Sequence, residues 1–531
     1  MPIVKINDMQ VEVPPGTNMI EAAKLVGVEI PHYCYHPHLS IAGNCRMCLV
    51  DVAAGGRGPE IACNMEARDG LHIRTDTQKV KEMRKSVMEF LLVNHPLDCP
   101  ICDQSGECRL QDYYMDHGQH DSRLADGKVG KGKRQDIGEH IVLDAERCVQ
   151  CSRCVRFSDE VTGTGELRLF NRSNSTQIGV FPGTRLEHNY QGNLADICPV
   201  GALTNKDFRF KKRVWWLKET ASVCDGCASG CNINVCHQDD EVFRYTPRRN
   251  DKVNKSWMCD EGRMSYQALT NMRRLIVFKA GDQKVEAPEA FNAAATALRA
   301  GKVGVVLGAK ASNEANFAAI RLARMHLPTA RFFLVAGNDP GASTTADELL
   351  MDADKTPNRR GATLIGEGLV NLEGGPALRN ALAEGEIDAL LVLQDDALGR
   401  LGVDAPARLV YVGTWQNSTA KAASVVLPAA APQEQACSFT NRDGRVQRLR
   451  RAVRAAGDAV PDFEAVNAVA RALGGAAVAD GASAVFDQLA GAVKAFAGLS
   501  YKSLRTEGQM ATLPEPAEPD TDESARQTAA N

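Results

Sequence analysis

The chain has 531 residues, of which 44% are hydrophobic and 24% charged, and its formal net charge at pH 7 is −4. That length is too great for one hydrophobic core and predicts three or four domains. The acidic balance argues against nucleic acid as a partner, because nucleic-acid-binding proteins usually carry a basic excess.

The 17 cysteines of the sequence indicate metal binding. The opening residues MPIVKINDMQ lack the charged and apolar regions of a secretory signal. No apolar run approaches the roughly 18 residues that a membrane span requires. In a reducing compartment, so many cysteines are expected as metal-bound thiolates rather than disulfides. The sequence therefore predicts a soluble, metal-rich protein.

The N-terminal residues predict a small β-grasp domain around a two-iron cluster. VKIN and QVEV alternate as in a β-hairpin, and Thr17 or Asn18 can cap a short helix over residues 19–26 that ends at Gly27. The following loops carry Cys34, Cys45, Cys48 and Cys63. Ten residues separate the first two cysteines, where plant-type ferredoxins have four, so this is not a plain soluble ferredoxin. A zinc knuckle or free buried thiols is the alternative.

A helix predicted over residues 77–93 ends before Pro96, which disfavours a helical residue ahead of it. The next candidate ligands are His95, Cys99, Cys102 and Cys108. A four-iron cluster needs four protein donors, and Asp98 and Asp103 are the rivals of His95. Imidazole is the better borderline ligand. Because imidazole is neutral where thiolate is anionic, it should raise the cluster's potential, as in Rieske centres.

Residues 118–140 read as a loop, after which CVQCSRC has the spacing of a ferredoxin run. In a two-cluster ferredoxin another cysteine would stand at Ser158, and no second run occurs. We therefore expect one four-iron cluster completed by a remote cysteine in a Cys-Pro-Val-Gly-Ala turn, with zinc as the weaker alternative. The predicted ligands are Cys148, Cys151, Cys154 and Cys198.

A last group has three clustered cysteines and one remote, which favours iron–sulfur over a structural zinc site built from two pairs. Its members are Cys224, Cys227, Cys231 and Cys259. Cys236 and Cys437 are left over; Cys437 stands in a turn-like context and is expected to be an idle thiol. The aromatic and basic segment 208–216 could stack on single-stranded nucleic acid. In this acidic chain, a packed interdomain strand or a partner surface is the better interpretation.

Beyond residue 274, short apolar strands alternate with Ala-rich helices, as in parallel α/β units. Predicted strands include residues 303–308, 331–335, 387–393 and 409–412. No dinucleotide loop is expected, because Val306 stands where G-x-G-x-x-G needs its second glycine.

Taken together, the four groups resemble the large iron–sulfur subunit of respiratory complex I, the NADH:quinone oxidoreductase. Their order and spacing are similar to that family from Cys34 to Arg274, including DICPVGALT around Cys198. Some bacterial members carry a fourth cluster whose pattern the last group fits. The resemblance implies that the α/β part is a relic of a molybdopterin oxidoreductase fold, to which VVLP at 425–428 and TNRDGRVQ at 440–447 are similar.

The implied fold class is multidomain, α+β and α/β. We expect a two-iron β-grasp domain at 1–78, a histidine-plus-three-cysteine four-iron domain at 79–118, an all-cysteine four-iron domain at 119–218, a further four-iron domain at 219–274, a shortened molybdopterin-oxidoreductase-like α/β domain at 275–505 and a disordered tail at 506–531.

The resemblance implies an electron-relay subunit of a proton-translocating complex, without a catalytic site of its own. Its cofactors would be one 2Fe-2S and three 4Fe-4S clusters, with no molybdopterin. Electrons from flavin on a neighbouring subunit would pass the two-iron group, then the Cys198 group, then the His95 group. The fourth cluster would be structural.

The implied partners are a flavin- and NADH-binding subunit, a small two-iron subunit and a ferredoxin-like subunit on the quinone side. The implied place is peripheral, on the cytoplasmic side of a bacterial inner membrane, with membrane contact only through the complex.

Two relatives share the beginning of the pattern. Iron-only hydrogenases continue with a two-cluster run, broken here at Ser158, and a cysteine-rich catalytic domain, whereas only Cys437 follows Cys259. NAD-linked molybdenum formate dehydrogenases have a lysine two residues after the last cysteine, where this chain has Glu261. Its α/β region of about 230 residues also looks short for a bis-pterin cofactor, as it does for complex I members. A zinc-dependent nucleic-acid scaffold is the alternative from another class.

Overall fold

The computed structural model describes residues 1–53, 58–476 and 478–513. The chain forms two compact units. Unit 1 comprises residues 1–219, 233–266 and 347–350, and unit 2 comprises residues 220–232, 267–346 and the chain from 351 onward. No helix of the described residues is both long and apolar enough to span a membrane.

Unit 1 combines short strands with six helices. Its helices are α1 (Met19–Leu25), α2 (Gln78–Leu92), α3 (Arg109–His117), α4 (Arg153–Glu160), α5 (Gly192–Ile197) and α6 (Asp260–Met264). Its strands are β1 (Ile3–Ile6), β2 (Met9–Glu12), β3 (Leu49–Val52), β4 (Glu60–Ile61), β5 (His72–Arg74), β6 (Gln135–Asp136), β7 (Ile141–Leu143), β8 (Arg168–Phe170), β9 (Gln177–Gly179), β10 (Leu203–Asn205) and β13 (Glu241–Pro247). Strands β11 (Lys218–Val223) and β12 (Asn232–Gln238) stand where the chain passes between the units.

The N-terminal domain has the predicted hairpin and helix. Its sheet has the order β2-β1-β5-β3-β4, with β1 antiparallel to β2 and parallel to β5. The Asn18 carboxamide oxygen accepts the Ile20 N–H at 2.9 Å, so Asn18 is the helix cap. Gly27 has a φ of 72°, which a residue with a side chain rarely adopts and which turns the chain after α1.

Helix α2 begins where the sequence predicts, because the Thr77 hydroxyl accepts the Val80 N–H at 3.2 Å and caps it. Segment 208–216, expected as a packed strand, instead forms a turn and a short 3-10 helix at Val214–Trp216. The Arg213 guanidinium explains this course, since it donates to the carbonyls of Cys102 and Pro100 at 2.5 and 2.7 Å.

Unit 2 is built on one large sheet and a smaller one. Its strands are β14 (Lys279–Ala280), β15 (Gln283–Lys284), β16 (Val303–Val306), β17 (Arg331–Leu334), β18 (Leu372–Gly374), β19 (Ala389–Leu393), β20 (Arg408–Gly413), β21 (Val425–Pro428), β22 (Cys437–Thr440), β23 (Arg445–Leu449) and β24 (Gln509–Met510). Its helices are α7 (Ala287–Arg299), α8 (Asn313–His326), α9 (Arg359–Leu369), α10 (Gly375–Ala383), α11 (Ala397–Leu401), α12 (Ser418–Ala422), α13 (Asp462–Ala472), α14 (Ala482–Ala492) and α15 (Tyr501–Leu504).

The large sheet has the order β15-β14-β21-β20-β19-β16-β17-β18 and is parallel from β21 to β18. From β16 the chain proceeds outward to β17 and β18, then returns to β19 on the other side of β16. The carboxyl ends of β16 and β19 therefore form a topological switch point, where open α/β sheets usually bind ligands. Buried apolar residues pack on both faces of this sheet, which confirms the predicted parallel α/β unit.

Two expectations for the C-terminal part need correction. Part of the tail predicted from residue 506 is ordered, because Gln509–Met510 form β24 and pair with Arg445–Val446; the rest of the predicted tail, residues 514–531, lies outside the described residues. Cys437 is not in a turn but begins β22, paired with Leu449, and is fully buried. Burial raises the pKa of its thiol well above the usual value, consistent with an idle thiol.

Candidate iron–sulfur sites

The four cysteines of the first group lie together in the N-terminal domain. The thiols of Cys34 and Cys48 each hydrogen-bond the thiol of Cys63, and Cys34 also bonds the thiol of Cys45. Those contacts with Cys45 and Cys63 hold the pKa of Cys34 well below its usual value. Backbone N–H groups of Cys45 and Asn44 donate to the Cys34 sulfur. Such N–H···S bonds favour a thiolate and so fit a two-iron cluster.

The third group surrounds one small cavity. All four of its cysteines line that cavity, together with apolar side chains from β7, β9 and the Cys198 turn. Gln150 and Ser152 have left-handed backbones, with φ of 53° and 58°, which fold CVQCSRC around the cavity. The Gln150 N–H donates to the Cys148 sulfur at 3.3 Å. This donor set fits a four-iron cluster.

The thiols of this group are buried and would be protonated without a metal. Burial raises the pKa of Cys148 and of Cys198 to about 12. Backbone N–H groups of Val200, Ala202 and Leu203 donate to the Cys198 sulfur and, against the effect of burial, lower its pKa. Metal ions bind thiolate and displace its proton, so a cluster would supply the missing positive charge.

In the second group, the Cys108 thiol lies near those of Cys99 and Cys102, and His95, Cys99 and Cys108 line one cavity of unit 1. Burial lowers the pKa of His95 to about 4, so the imidazole is neutral at pH 7, the form that binds metal. Cys99 is exposed, unlike the ligands of the other groups.

Asp98 and Asp103, the alternative candidates to His95 as a ligand, form ion pairs or hydrogen bonds with other residues. Asp98 pairs with Lys133 and with Arg147 at 2.5 and 2.9 Å, and these partners lower its pKa. Asp103 accepts the Phe210 N–H at 2.8 Å. Both carboxylates thus already have partners within the protein.

The fourth group divides between the units. Cys224, Cys227 and Cys231 belong to unit 2 and Cys259 to unit 1. In unit 2, the Cys224 N–H donates to the Cys231 carbonyl at 2.8 Å, and in unit 1 the Gly262 N–H donates to the Cys259 sulfur at 3.3 Å. This group remains a prediction.

In the described parts of the chain, no three or more His, Cys, Asp or Glu side chains are arranged to hold one metal ion together. A cluster, by contrast, distributes its protein ligands over two or four iron atoms.

The loop of the first group contacts the run of the third. Arg156, on α4, donates through Nη2 to the carbonyls of Cys34 and Cys151 at 2.6 and 3.3 Å. The Asn44 side chain also donates to the Gln150 carbonyl at 3.4 Å. Neither Arg156 nor its neighbour Arg153 is among the residues predicted from cysteine spacing. Arg153 lies inside CVQCSRC and Arg156 follows shortly after it, so both basic residues could have been found in the sequence.

The turn of the third group in turn contacts the loop of the second. A Cβ placed on Gly201 would lie 2.2 Å from the Cys102 sulfur, so only glycine allows this approach. The Arg109 N–H donates to the Pro199 carbonyl at 3.0 Å. Within unit 1 the third group thus has direct contacts with both others. The first and second groups are also neighbours, because Tyr33, next to Cys34, packs against Tyr113 of α3 with ring centroids 5.3 Å apart.

The switch point of unit 2 contains ion pairs of the chain itself. Arg400 pairs with Asp339 at 2.8 Å and with Asp395 at 3.1 Å, and Lys310 pairs with Asp339. Asp395 is fully buried, neither of its oxygens accepts a hydrogen bond, and burial raises its pKa to about 7. A Cβ on Gly308 would lie 2.1 Å from the Leu393 carbonyl oxygen. Such a crowded point, where the cations already pair with carboxyl groups of the chain itself, does not fit the phosphates of a pterin dinucleotide.

Five family models match successive parts of the chain. They are a 2Fe-2S iron-sulfur cluster binding domain at residues 3–78, an NADH-ubiquinone oxidoreductase-G iron-sulfur binding region at 84–123, an NADH-quinone oxidoreductase subunit 3 ferredoxin-like domain at 138–204, an NADH-ubiquinone oxidoreductase NDSU1/NuoG-like 4Fe-4S domain at 217–267 and a molybdopterin oxidoreductase domain at 289–472. Two-iron and four-iron binding domains are therefore present, followed by a molybdopterin-oxidoreductase-like domain, as the predicted fold class requires.

Curated relatives agree. The G-type subunit of NADH-quinone oxidoreductase from Rickettsia felis is 40% identical over 320 residues, which cover 59% of this chain and 47% of that protein. The mitochondrial NADH dehydrogenase [ubiquinone] iron-sulfur protein 1 of Solanum tuberosum is 44% identical over 270 residues, covering 51% of this chain and 36% of that protein. The chain thus spans about half or less of the length of these relatives.

A solved NAD+-reducing [NiFe]-hydrogenase structure aligns with 40% of this chain and 91% of its own at 26% identity. Its TM-score of 0.36 is too low to indicate a shared arrangement.

Proposed function

We propose that this chain relays electrons within an NADH:quinone oxidoreductase complex, because its iron–sulfur domains match those of the large iron–sulfur subunit of such complexes. It would carry single electrons from a flavin-bearing subunit toward quinone and perform no bond-making chemistry itself. Its clusters, when bound, supply reversible one-electron acceptors.

We propose sixteen cluster ligands in four sets. The two-iron set is Cys34, Cys45, Cys48 and Cys63; the four-iron sets are His95, Cys99, Cys102 and Cys108, then Cys148, Cys151, Cys154 and Cys198, and last Cys224, Cys227, Cys231 and Cys259. The cofactors would be one 2Fe-2S and three 4Fe-4S clusters. The domain boundaries proposed with them are 1–78, 79–118, 119–218, 219–274 and 275–505.

The contacts of the third group with both others are the observation that carries the relay. The third group contacts the first through Arg156 and the second through Gly201. This supports a route from the two-iron set to the Cys198 set and then to the His95 set, which differs from the order in the sequence. The exposure of Cys99 supports the His95 set as the point of exit.

The chain's own groups would hold and tune the clusters. Backbone N–H groups donate to sulfurs of Cys34, Cys148 and Cys198, and such bonds stabilise negative charge on sulfur. Apolar residues line the cavity of the third group and exclude water from it. A buried cluster there would have a reduction potential different from that of a more exposed cluster.

The complex I relatives imply assembly with other subunits of such a complex. We propose a flavin- and NADH-binding subunit, a small two-iron subunit and a ferredoxin-like quinone-side subunit as the partners. The chain would be peripheral, on the cytoplasmic side of a bacterial inner membrane. Unit 2 would serve as a packing and docking surface and would bind no molybdopterin. The ion pairs at its switch point support the absence of that cofactor.

Iron and acid-labile sulfide analysis with low-temperature EPR of the purified full chain tests this proposal. About fourteen iron atoms per chain and four separable cluster signals are expected. Zinc in place of iron, with no absorption in the visible region, would contradict it. Hydrogen- or formate-dependent dye reduction by the same preparation would instead favour the hydrogenase or formate dehydrogenase alternative.

A further inference from the structure

Arg153, inside CVQCSRC, is an enclosed cation without a carboxylate partner. Its guanidinium donates to the carbonyls of Ile197, at 3.0 Å, and Tyr35. Its Nε is buried and has no acceptor. The ionisable side chains that act on it are thiols, and it forms no ion pair to a carboxylate within the described part of the chain.

Both carbonyls adjoin proposed ligands. Tyr35 follows Cys34 of the two-iron set, and Ile197 precedes Cys198 of the four-iron set. The guanidinium thus lies between the two loops. Among the described residues, Arg153 is also the one charged side chain that lines the cavity of the third group.

The thiols that act on this cation come from both sets. Cys151 and Cys198 belong to the four-iron set, and Cys34 and Cys45 belong to the two-iron set. Arginine keeps its charge at any pH at which a protein is folded. A fixed positive charge at this point therefore acts on both sets at once.

An unpaired buried cation and an unsatisfied N–H group both destabilise a fold. Both costs disappear if negatively charged clusters occupy the two sites. We propose that Arg153 is the shared counter-charge of the two-iron cluster and the Cys198 four-iron cluster, donates its free Nε–H to cluster sulfur, and raises the reduction potentials of both.

This inference rests on the proposed ligand sets and extends them to a residue that tunes potential. Each cluster gains negative charge on reduction, and a nearby cation stabilises that charge. Arg147 offers a contrast in the same segment. It is buried, but Asp98 and Asp144 already pair with it, at 2.9 and 3.4 Å.

The test is an EPR-monitored redox titration of the full chain carrying Arg153→Met, Arg153→Lys or, as the matched control, Arg147→Met. Iron and sulfide content is measured on each preparation, so that loss of clusters is distinguished from a change in their potentials. We expect Arg153→Met to lower the midpoints of the two-iron and Cys198 clusters together and to leave that of the His95 cluster near its original value.

Arg153→Lys keeps the charge but lacks the fixed Nε donor, so its two midpoints should fall by less. Arg147→Met should leave the two-iron midpoint unchanged. Unchanged midpoints in an iron-replete Arg153→Met chain, or an equal shift of all clusters, overturns the proposal. If Arg153→Met does not load iron, the Lys variant decides, because two unchanged midpoints there also overturn it.

Discussion

At the scale of single residues, the candidate sites depend on a few positions where only one residue type fits. Gly201 lies against the Cys102 sulfur, and Gln150 and Ser152 take left-handed conformations inside the ligand run. A left-handed backbone costs a residue with a side chain on the order of 1 kcal/mol or more. Those costs are tolerated because the turns direct three thiols into one cavity.

Replacing His95 with Cys should retain the second cluster and lower its reduction potential. A thiolate is anionic where imidazole is neutral, so it stabilises the oxidised state. An EPR-monitored titration of the full chain measures the change, with the midpoints of the other clusters as internal controls. If His95→Cys leaves every spectrum and midpoint unchanged, His95 is not a ligand.

Replacing Gly201 with Ala should weaken the contact between the second and third groups. The new methyl group would overlap the Cys102 sulfur and lie 3.1 Å from the Gln104 Cβ. Overpacking of this kind costs typically about 1–3 kcal/mol, and we expect partial loss of iron from the His95 site. Gly127→Ala is the matched control, because nothing lies within 4 Å of its Cβ position. Equal iron content in both variants would contradict the importance of this contact.

At the scale of elements, sequence patterns predicted much of the structure. The caps at Asn18 and Thr77 set the starts of α1 and α2, and apolar runs gave the central strands of unit 2. These signals are local, so they can be read from one stretch of chain. The strand predicted at 208–216 failed because hydrogen bonds from Arg213 to a distant loop decide its course.

The sites likewise combine features that the local sequence predicts with features that depend on tertiary packing. Cysteine spacing predicted that the thiols of the first group, and those of the third, lie together, as the structure has them. The contacts between sets depend on tertiary packing, so neither the Arg156 bridge nor the approach of Gly201 could be read from the sequence. The ion pairs at the switch point of unit 2 likewise join residues from three separate loops.

A pH-dependent contact joins α8, β22 and α15 in unit 2. Fully buried Glu314 accepts hydrogen bonds from the Ser438 N–H at 2.9 Å, the Ser438 hydroxyl at 2.7 Å and the Tyr501 hydroxyl at 2.8 Å. Burial raises its pKa from 4.5 to about 7. Between these values the folded state holds a proton that the unfolded state releases, so the free energy of unfolding should fall as pH rises from about 4.5 to 7.

Glu314→Gln should reduce the change in the free energy of unfolding between pH 4.5 and 7 by up to about 3 kcal/mol, because glutamine stays neutral. Denaturant unfolding at pH 5, 6 and 7 measures it, with the exposed Glu367→Gln as control. The free energy of unfolding of this variant should still depend on pH to a smaller extent, because the pKa of Asp395 is also raised. A slope equal to that of the unmodified chain would show that Glu314 is ionised in the fold throughout.

At the scale of the whole molecule, the two units differ in what their sites can hold. Unit 1 contains three of the proposed ligand sets, and N–H groups donate to sulfurs in the first and third of them. Unit 2 has the sheet of a ligand-binding α/β domain, yet Asp339, Asp395 and Arg400 occupy its switch point. The proposed electron relay would therefore belong to unit 1 and the proposed scaffold to unit 2.

We therefore expect the purified full chain to contain iron but neither molybdenum nor tungsten. A pterin dinucleotide carries phosphates, and at the edge of the sheet where such ligands bind the cations Arg400 and Lys310 already pair with Asp339 and Asp395. Glu261, two residues after Cys259, also reverses the charge that molybdenum relatives carry there. Elemental analysis after expression in cells that make molybdenum cofactor provides the measurement, with a molybdenum enzyme from the same cells as the positive control. Molybdenum or tungsten near one equivalent per chain would overturn this division and make unit 2 a catalytic domain.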